Sequence, residues 1–146
     1  MIAIAISRFN EEVTSRLLQN CEAALRARGI KAADVRAFPV PGGYELPWLV
    51  NELALSRRYE VIIALGCILK GSTPQNMHIA RSTVSHLHDV ALKTRVPVIL
   101  GVITPNTYAQ ALARTKGALD RGKEAALAAL EILELQRLLK RGHGKA

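Results

Sequence analysis

Aromatic side chains are scarce: two Phe, three Tyr and one Trp make up 4% of the 146 residues. That shortage excludes a stacking platform for single-stranded nucleic acid, which needs rings repeated along a groove. Cysteine is limited to Cys21 and Cys67, far apart and each inside an apolar segment. They read as two buried thiols in a reducing compartment, the cytoplasm, rather than as a disulfide. Nowhere do Cys and His fall at metal-ligand spacing, so no metal is expected. No apolar run approaches the roughly 20 residues that a bilayer crossing needs, so no membrane partner is expected. The opening MIAIAISRF has neither a basic n-region nor a small-residue cleavage pattern and is read as mature structure.

Acidic residues are outnumbered, 12 against 20 Lys and Arg, for a formal charge of +8. Half of that excess lies in the last ten residues, RLLKRGHGKA, which hold Arg137, Lys140, Arg141 and Lys145 and no acid. The rest is spread thinly. Residues 140–146 are therefore expected to be a solvated, unordered basic tail, and nucleic acid is not an expected partner. With 49% apolar and 22% charged residues, positions 1–139 have the composition of one globular domain.

Strand and helix patterns alternate along the chain. IAIAI (2–6) is a β-branched apolar run; Asn10 then suits a helix N-cap, and Glu11 and Glu12 suit the positive end of the helix dipole. Val13, Leu17, Cys21 and Leu25 follow at helical spacing until Gly29. DVRAFPV (34–40) reads as a strand placed near an edge by Pro39. A helix follows from Leu46, then the apolar strand EVIIALG (60–66). The next helix runs from about Pro74, taken as its first residue, to about Leu92. VPVILGVI (96–103) is a fourth strand, and helices follow from Thr107 and from Asp120, the last ending near Leu139. This order predicts a single-domain α/β three-layer sandwich, a mostly parallel four-stranded sheet with flanking helices and flavodoxin-like topology.

The polar irregularities all follow strands: Arg8-Phe9-Asn10, Gly43-Tyr44-Glu45, Gly71-Ser72-Thr73 and residues 104–106. Ligands bind at the carboxyl edge of open α/β sheets, so one site built from four loops is predicted. Gly71-Ser72-Thr73 before a helix is either a simple cap or a cradle for an oxyanion. Phe9 is either a hydrophobic staple or an exposed ring for a heterocycle, and Glu45 either a cap or a partner for a polar ring edge. Arg114 and Arg121 read locally as solvated charges or as anion partners. His86, His88 and His143 read as surface histidines.

Five blocks, SRFNEEVT, VPGGYELP, ALGCILKGST, PVILGVIT and QALARTKGALDRGKEAALAALE, raise these readings together. They resemble, in order and spacing, the signature blocks of the lumazine synthase family: SRFNxxIT, VPGAFELP, ALGxVIRGxTxH, PVxFGVLT, and QAxxR followed by KGxEAAxAAxE. The resemblance spans residue 2 to about residue 135. It implies condensation of 5-amino-6-ribitylaminouracil with 3,4-dihydroxy-2-butanone 4-phosphate to 6,7-dimethyl-8-ribityllumazine, without cofactor. It also implies a homo-oligomer, pentamer or decamer, with the active site between subunits. Phe9 would stack on the pyrimidine, Gly43, Tyr44 and Glu45 would meet the ribityl chain, and Ile68 and Leu69 the uracil edge. Gly71, Ser72 and Thr73 would cradle the phosphate, with Arg114 reaching it from the adjacent subunit.

Four departures accompany the resemblance. Gln75 stands where the family has its proton-shuttling histidine, with Asn76, Met77 and His78 after it. One helical turn separates His78 from Gln75, which raises the reading that His78 substitutes for the missing imidazole. Leu100 replaces an aromatic wall, and Arg121 replaces a lysine with its charge kept. The chain begins at its first strand, without the leading strand that often joins subunits, so a large shell is not expected. A slow or altered lumazine synthase is the expectation; the alternative is a non-catalytic lumazine- or flavin-binding oligomeric homologue.

Overall fold

The computed structural model describes residues 1–143, and of His143 only the backbone. The order is β1 (Ile2–Ser7), α1 (Glu11–Ala27), β2 (Val35–Val40), α2 (Leu46–Leu55), β3 (Val61–Cys67), α3 (Gln75–Thr94), β4 (Val98–Ile103), α4 (Tyr108–Ala113) and α5 (Arg121–His143). Short 3-10 turns lie at Ala32–Asp34, Gly43–Glu45 and Gly117–Leu119.

The sheet is parallel throughout, in the order β2-β1-β3-β4. Ile2 lies opposite Val35 on one side and Val61 on the other, and Ile62 opposite Val98. From β1 the chain steps outward to β2, then crosses back to place β3 on the other side. The strand order therefore reverses between β1 and β3, which opens a crevice beyond their carboxyl ends.

Alternation along the strands divides the core in two. Ile2, Ile4, Ile6, Val61, Ile63 and Leu65 pack under α1 and α5. Ala3, Ala5, Ile62 and Ala64 face α2 and α3. The first face is filled by branched side chains, whereas the second is largely alanine, with Ile62 among them. β1 and β3 are buried along their whole length, as strands covered on both faces should be. Pro39 does lie on the edge strand β2, where its missing N–H costs no ladder bond.

Three local expectations are corrected. Pro74 precedes α3 as its cap residue rather than beginning it. Asn10 occupies the cap position of α1, but its side chain makes no capping bond. The terminal helix does not stop near Leu139: α5 continues through Lys140 and Arg141 to His143, so most of the expected tail is helical. Cations suit the negative end of a helix dipole, and no proline intervenes. Residues 144–146 of that tail lie outside the described residues. Asp120 caps α5 at its start, accepting a hydrogen bond from the Lys123 amide at 3.1 Å.

Where α5 crosses α1, only glycine fits. A Cβ on Gly122 would lie 2.3 Å from the Leu17 carbonyl oxygen, a backbone atom that cannot swing away. Gly122→Ala is expected to cost about 2–3 kcal/mol, the upper part of the usual overpacking range, by forcing the helices apart. Urea unfolding measured beside the wild type checks this.

Candidate active site

A cavity of about 620 Å³ lies at the reversal point. Phe9 and Asn10 after β1, residues 42–45 after β2, and Cys67, Ile68 and Leu69 at the end of β3 enclose it; Gly71, Thr73, Gln75, Asn76 and Ile79 complete the wall. Three of the four predicted loops thus converge.

The Phe9 ring is 65% exposed, which selects the free ring over the staple. The Phe9 amide donates to the Pro41 carbonyl at 2.9 Å. The ring leans on Gly42, where a Cβ would come within 2.7 Å of it. Asn10 follows in the left-handed region, φ 61°, which asparagine tolerates better than most residues. Instead of capping α1, its side-chain amide crosses to β3 and donates to the Cys67 carbonyl at 3.0 Å. Tyr44 is 67% exposed at the cavity mouth. One Glu45 carboxylate oxygen accepts from the Gly42 amide at 2.9 Å, so the capping reading holds, and the other oxygen makes no hydrogen bond among the described residues. Buried Thr83 donates to the Gly43 carbonyl at 3.0 Å and ties this turn to α3.

The start of α3 is open. Met77 and His78 amides donate to the Pro74 carbonyl, whereas those of Gln75 and Asn76 meet no acceptor among the described residues. Such amides, at the positive end of a 20-residue helix, suit an anion. Gly71 and Thr73 face the cavity; Ser72 is exposed but does not line it. Gln75 lines the wall, and His78 does not: Asn76 and Ile79 form the cavity side of that turn. The reading of His78 as a substitute imidazole is therefore not supported by its placement. The ionisable groups lining the cavity are Tyr44, Glu45 and Cys67. Burial pushes the Cys67 thiol up to about 11 and that of Cys21, with help from Glu22 and Asp120, to about 12. Both are free and buried, as the sequence suggested, and neither is a base at neutral pH.

The fourth loop goes elsewhere. Leu100, residues 104–106, Gln110, Arg114 and Arg121 line a second cavity of about 530 Å³. The single four-loop site expected from sequence is thus corrected to two concavities. β4 is the sheet edge, so its outer flank and following loop face away from β1. Leu100 is 53% exposed there. The Arg121 amide donates to the Arg114 carbonyl at 2.8 Å, which brings the two arginines together. Arg121 pairs with Glu124 at 2.5 Å; the Arg114 guanidinium has no ion-pair partner among the described residues. Thr107 caps α4, accepting from the Gln110 amide at 3.1 Å. The Tyr108 hydroxyl donates to Glu12, which also pairs with Arg16, and that bond holds the phenol above its ordinary range. Sequence reading missed this clasp and the Asn10–Cys67 bond, since both join segments remote in the chain.

Among the described residues no group of three or more His, Cys, Asp and Glu is arranged to hold a metal, and no helix is long and apolar enough to cross a membrane.

The family model for 6,7-dimethyl-8-ribityllumazine synthase matches residues 1–137. A 6,7-dimethyl-8-ribityllumazine synthase from Syntrophus aciditrophicus is 38% identical over 136 residues, covering 92% of this chain and 88% of that one. The synthase from Thermosynechococcus vestitus is 37% identical over 140 residues, covering 93% and 79%. A de novo designed Rossmann fold protein superposes with a TM-score of 0.43 and 17% identity over 77% of this chain and 90% of that one, too distant to bear on the fold.

Proposed function

Because the chain belongs to the 6,7-dimethyl-8-ribityllumazine synthase family, we propose that its two cavities are halves of one active site. A second copy would set its Leu100–Arg114–Arg121 concavity over the Phe9–Gln75 cavity of the first. The reaction is the family's transferase step in riboflavin biosynthesis, joining 5-amino-6-ribitylaminouracil to 3,4-dihydroxy-2-butanone 4-phosphate. A ring of five copies, or two such rings, would repeat the junction, and the two buried thiols fit the cytoplasm.

What supports this reading is the division of labour between the cavities. The exposed ring, the polar turn and the open helix start lie in one, and the Arg114 guanidinium, without an ion-pair partner among the described residues, lines the other. In this arrangement the pyrimidine stacks on Phe9. The Ile68 amide already donates to Ile103, so the uracil edge is left the Ile68 carbonyl and the polar groups of Leu69. The ribityl hydroxyls meet Tyr44 and the free oxygen of Glu45. The phosphate rests on the amides of Gln75 and Asn76 with Thr73 and Gly71, clamped by Arg114 from the neighbouring copy.

Imine formation, phosphate loss and ring closure all move protons, and Gln75 can orient water but not carry one. General acid–base help is worth about 10²–10⁴-fold. Holding two reactive molecules together is worth more, with effective molarities of about 10⁵–10⁸ M in well-oriented cases. Catalysis therefore survives without the imidazole, the protons passing among amine, phosphate and water at a lower rate. Leu100 in place of an aromatic wall relaxes the grip on the heterocycle.

The test is the formation of 6,7-dimethyl-8-ribityllumazine, followed by fluorescence against the spontaneous reaction of the two substrates. A rate above background that saturates in both substrates is expected. Ribitylaminouracil that binds without any gain in rate would leave the non-catalytic reading.

A further inference from the structure

We infer that Asn10 is a positioning residue that aims the Phe9 ring over the crevice between β1 and β3, through its side-chain bond to the Cys67 carbonyl. This rests on the reading that Phe9 stacks on the heterocycle. A ring that is 65% exposed has little packing to fix its direction, so its backbone must do so. On the near side the fixing is done by β2: Arg8 donates to the Val40 carbonyl at 2.9 Å, and Phe9 to the Pro41 carbonyl at 2.9 Å.

On the far side the main chain turns through the left-handed conformation of Asn10, φ 61° and ψ 52°. The Asn10 carbonyl is committed to α1, accepting from Val13 at 2.9 Å and Thr14 at 3.0 Å. These bonds secure the helix start but not its place relative to β3. The side-chain bond at 3.0 Å supplies that link, spanning 57 residues to the last position of β3. Phe9 is thereby held between an anchor on each neighbouring strand end.

The side chain is also singled out by what it forgoes. A cap position normally spends its side chain on the first turn of its own helix. Here it is spent across the crevice, beside the cavity that it lines. The donor is what matters: a carbonyl accepts from an amide, and a carboxylate of the same shape would repel it.

Two substitutions separate backbone from bond. Asn10→Gly keeps the left-handed turn and removes the side chain. Asn10→Asp keeps size and turn, removes the donor and sets a carboxylate against the Cys67 carbonyl. Each is expected to raise KM for 5-amino-6-ribitylaminouracil about five- to tenfold, the usual worth of one such bond, while kcat stays within about twofold and the melting temperature falls little. Placed on Phe9→Ala, either change should add nothing, because Asn10 acts through the ring. Binding of the analogue whose 5-amino group is replaced by nitro, and which cannot condense, provides the same comparison without turnover. A wild-type KM in both Asn10 variants, or a full additional loss in the Phe9→Ala background, would overturn the inference. If Phe9→Ala itself leaves KM unchanged, it is the stacking role that fails.

Discussion

Gln75→His is expected to raise kcat about 10²-fold at neutral pH, with the KM of both substrates within about twofold of wild type. The position is already correct: Gln75 is the first residue of α3 and lines the cavity beside the amides proposed for phosphate. An imidazole there sits at the positive end of the helix dipole, which favours its neutral form. It would accept a proton as the amine adds and return it as water or phosphate leaves, the task for which a group titrating near neutrality is suited. The variant should also gain a pH dependence, its extra rate fading as pH falls and the imidazole becomes protonated. Stopped assays of lumazine formation over a pH series check both effects. An unchanged or lower rate would mean that the site has been rebuilt around another donor.

Arg114→Ala should be as costly as Gln75→His is helpful. The guanidinium stands without an ion-pair partner among the described residues, held through the Arg121–Arg114 backbone bond on the rim of the second cavity. A charged group that completes its pairing only on a phosphate gives up about 3 kcal/mol when it is removed, roughly 10²-fold in kcat/KM for the butanone phosphate. Arg114→Lys should restore part of that, since a lysine keeps the charge but not the two-pronged geometry. The loss should also be curable in trans. Co-expression of Arg114→Ala chains with Phe9→Ala chains creates junctions where an intact Phe9 cavity meets an intact Arg114. Activity above that of either variant alone is expected. No recovery in mixed oligomers would place both residues in one chain's site.

Much of this was legible in the sequence because it depends on burial. The runs at residues 2–6, 60–66 and 96–103 had no polar face, and helical spacing from Val13 to Leu25 marked one buried stripe. The glycine and polar residues after each strand marked the edge of the sheet where the two cavities lie. What could not be read depends on strand order and on the partner. Nothing in a one-dimensional pattern says that β4 lies at the sheet edge, so its loop was grouped with three others that it does not join. Asn10 followed by two glutamates has the composition of a capped helix, and only the proximity of β3 reveals that its side chain is used elsewhere. The cations after Leu139 looked like an unordered tail, yet α5 carries Lys140 and Arg141, both exposed, within its last turn.

A crystal structure with a phosphate-bearing mimic of the condensed intermediate tests the shared site most directly. It should hold the heterocycle flat against Phe9 in the crevice between β1 and β3. Its phosphate should lie on the amides of Gln75 and Asn76, with Arg114 arriving from a neighbouring copy. A mimic bound elsewhere, or seated there with every contact drawn from one chain, would contradict it.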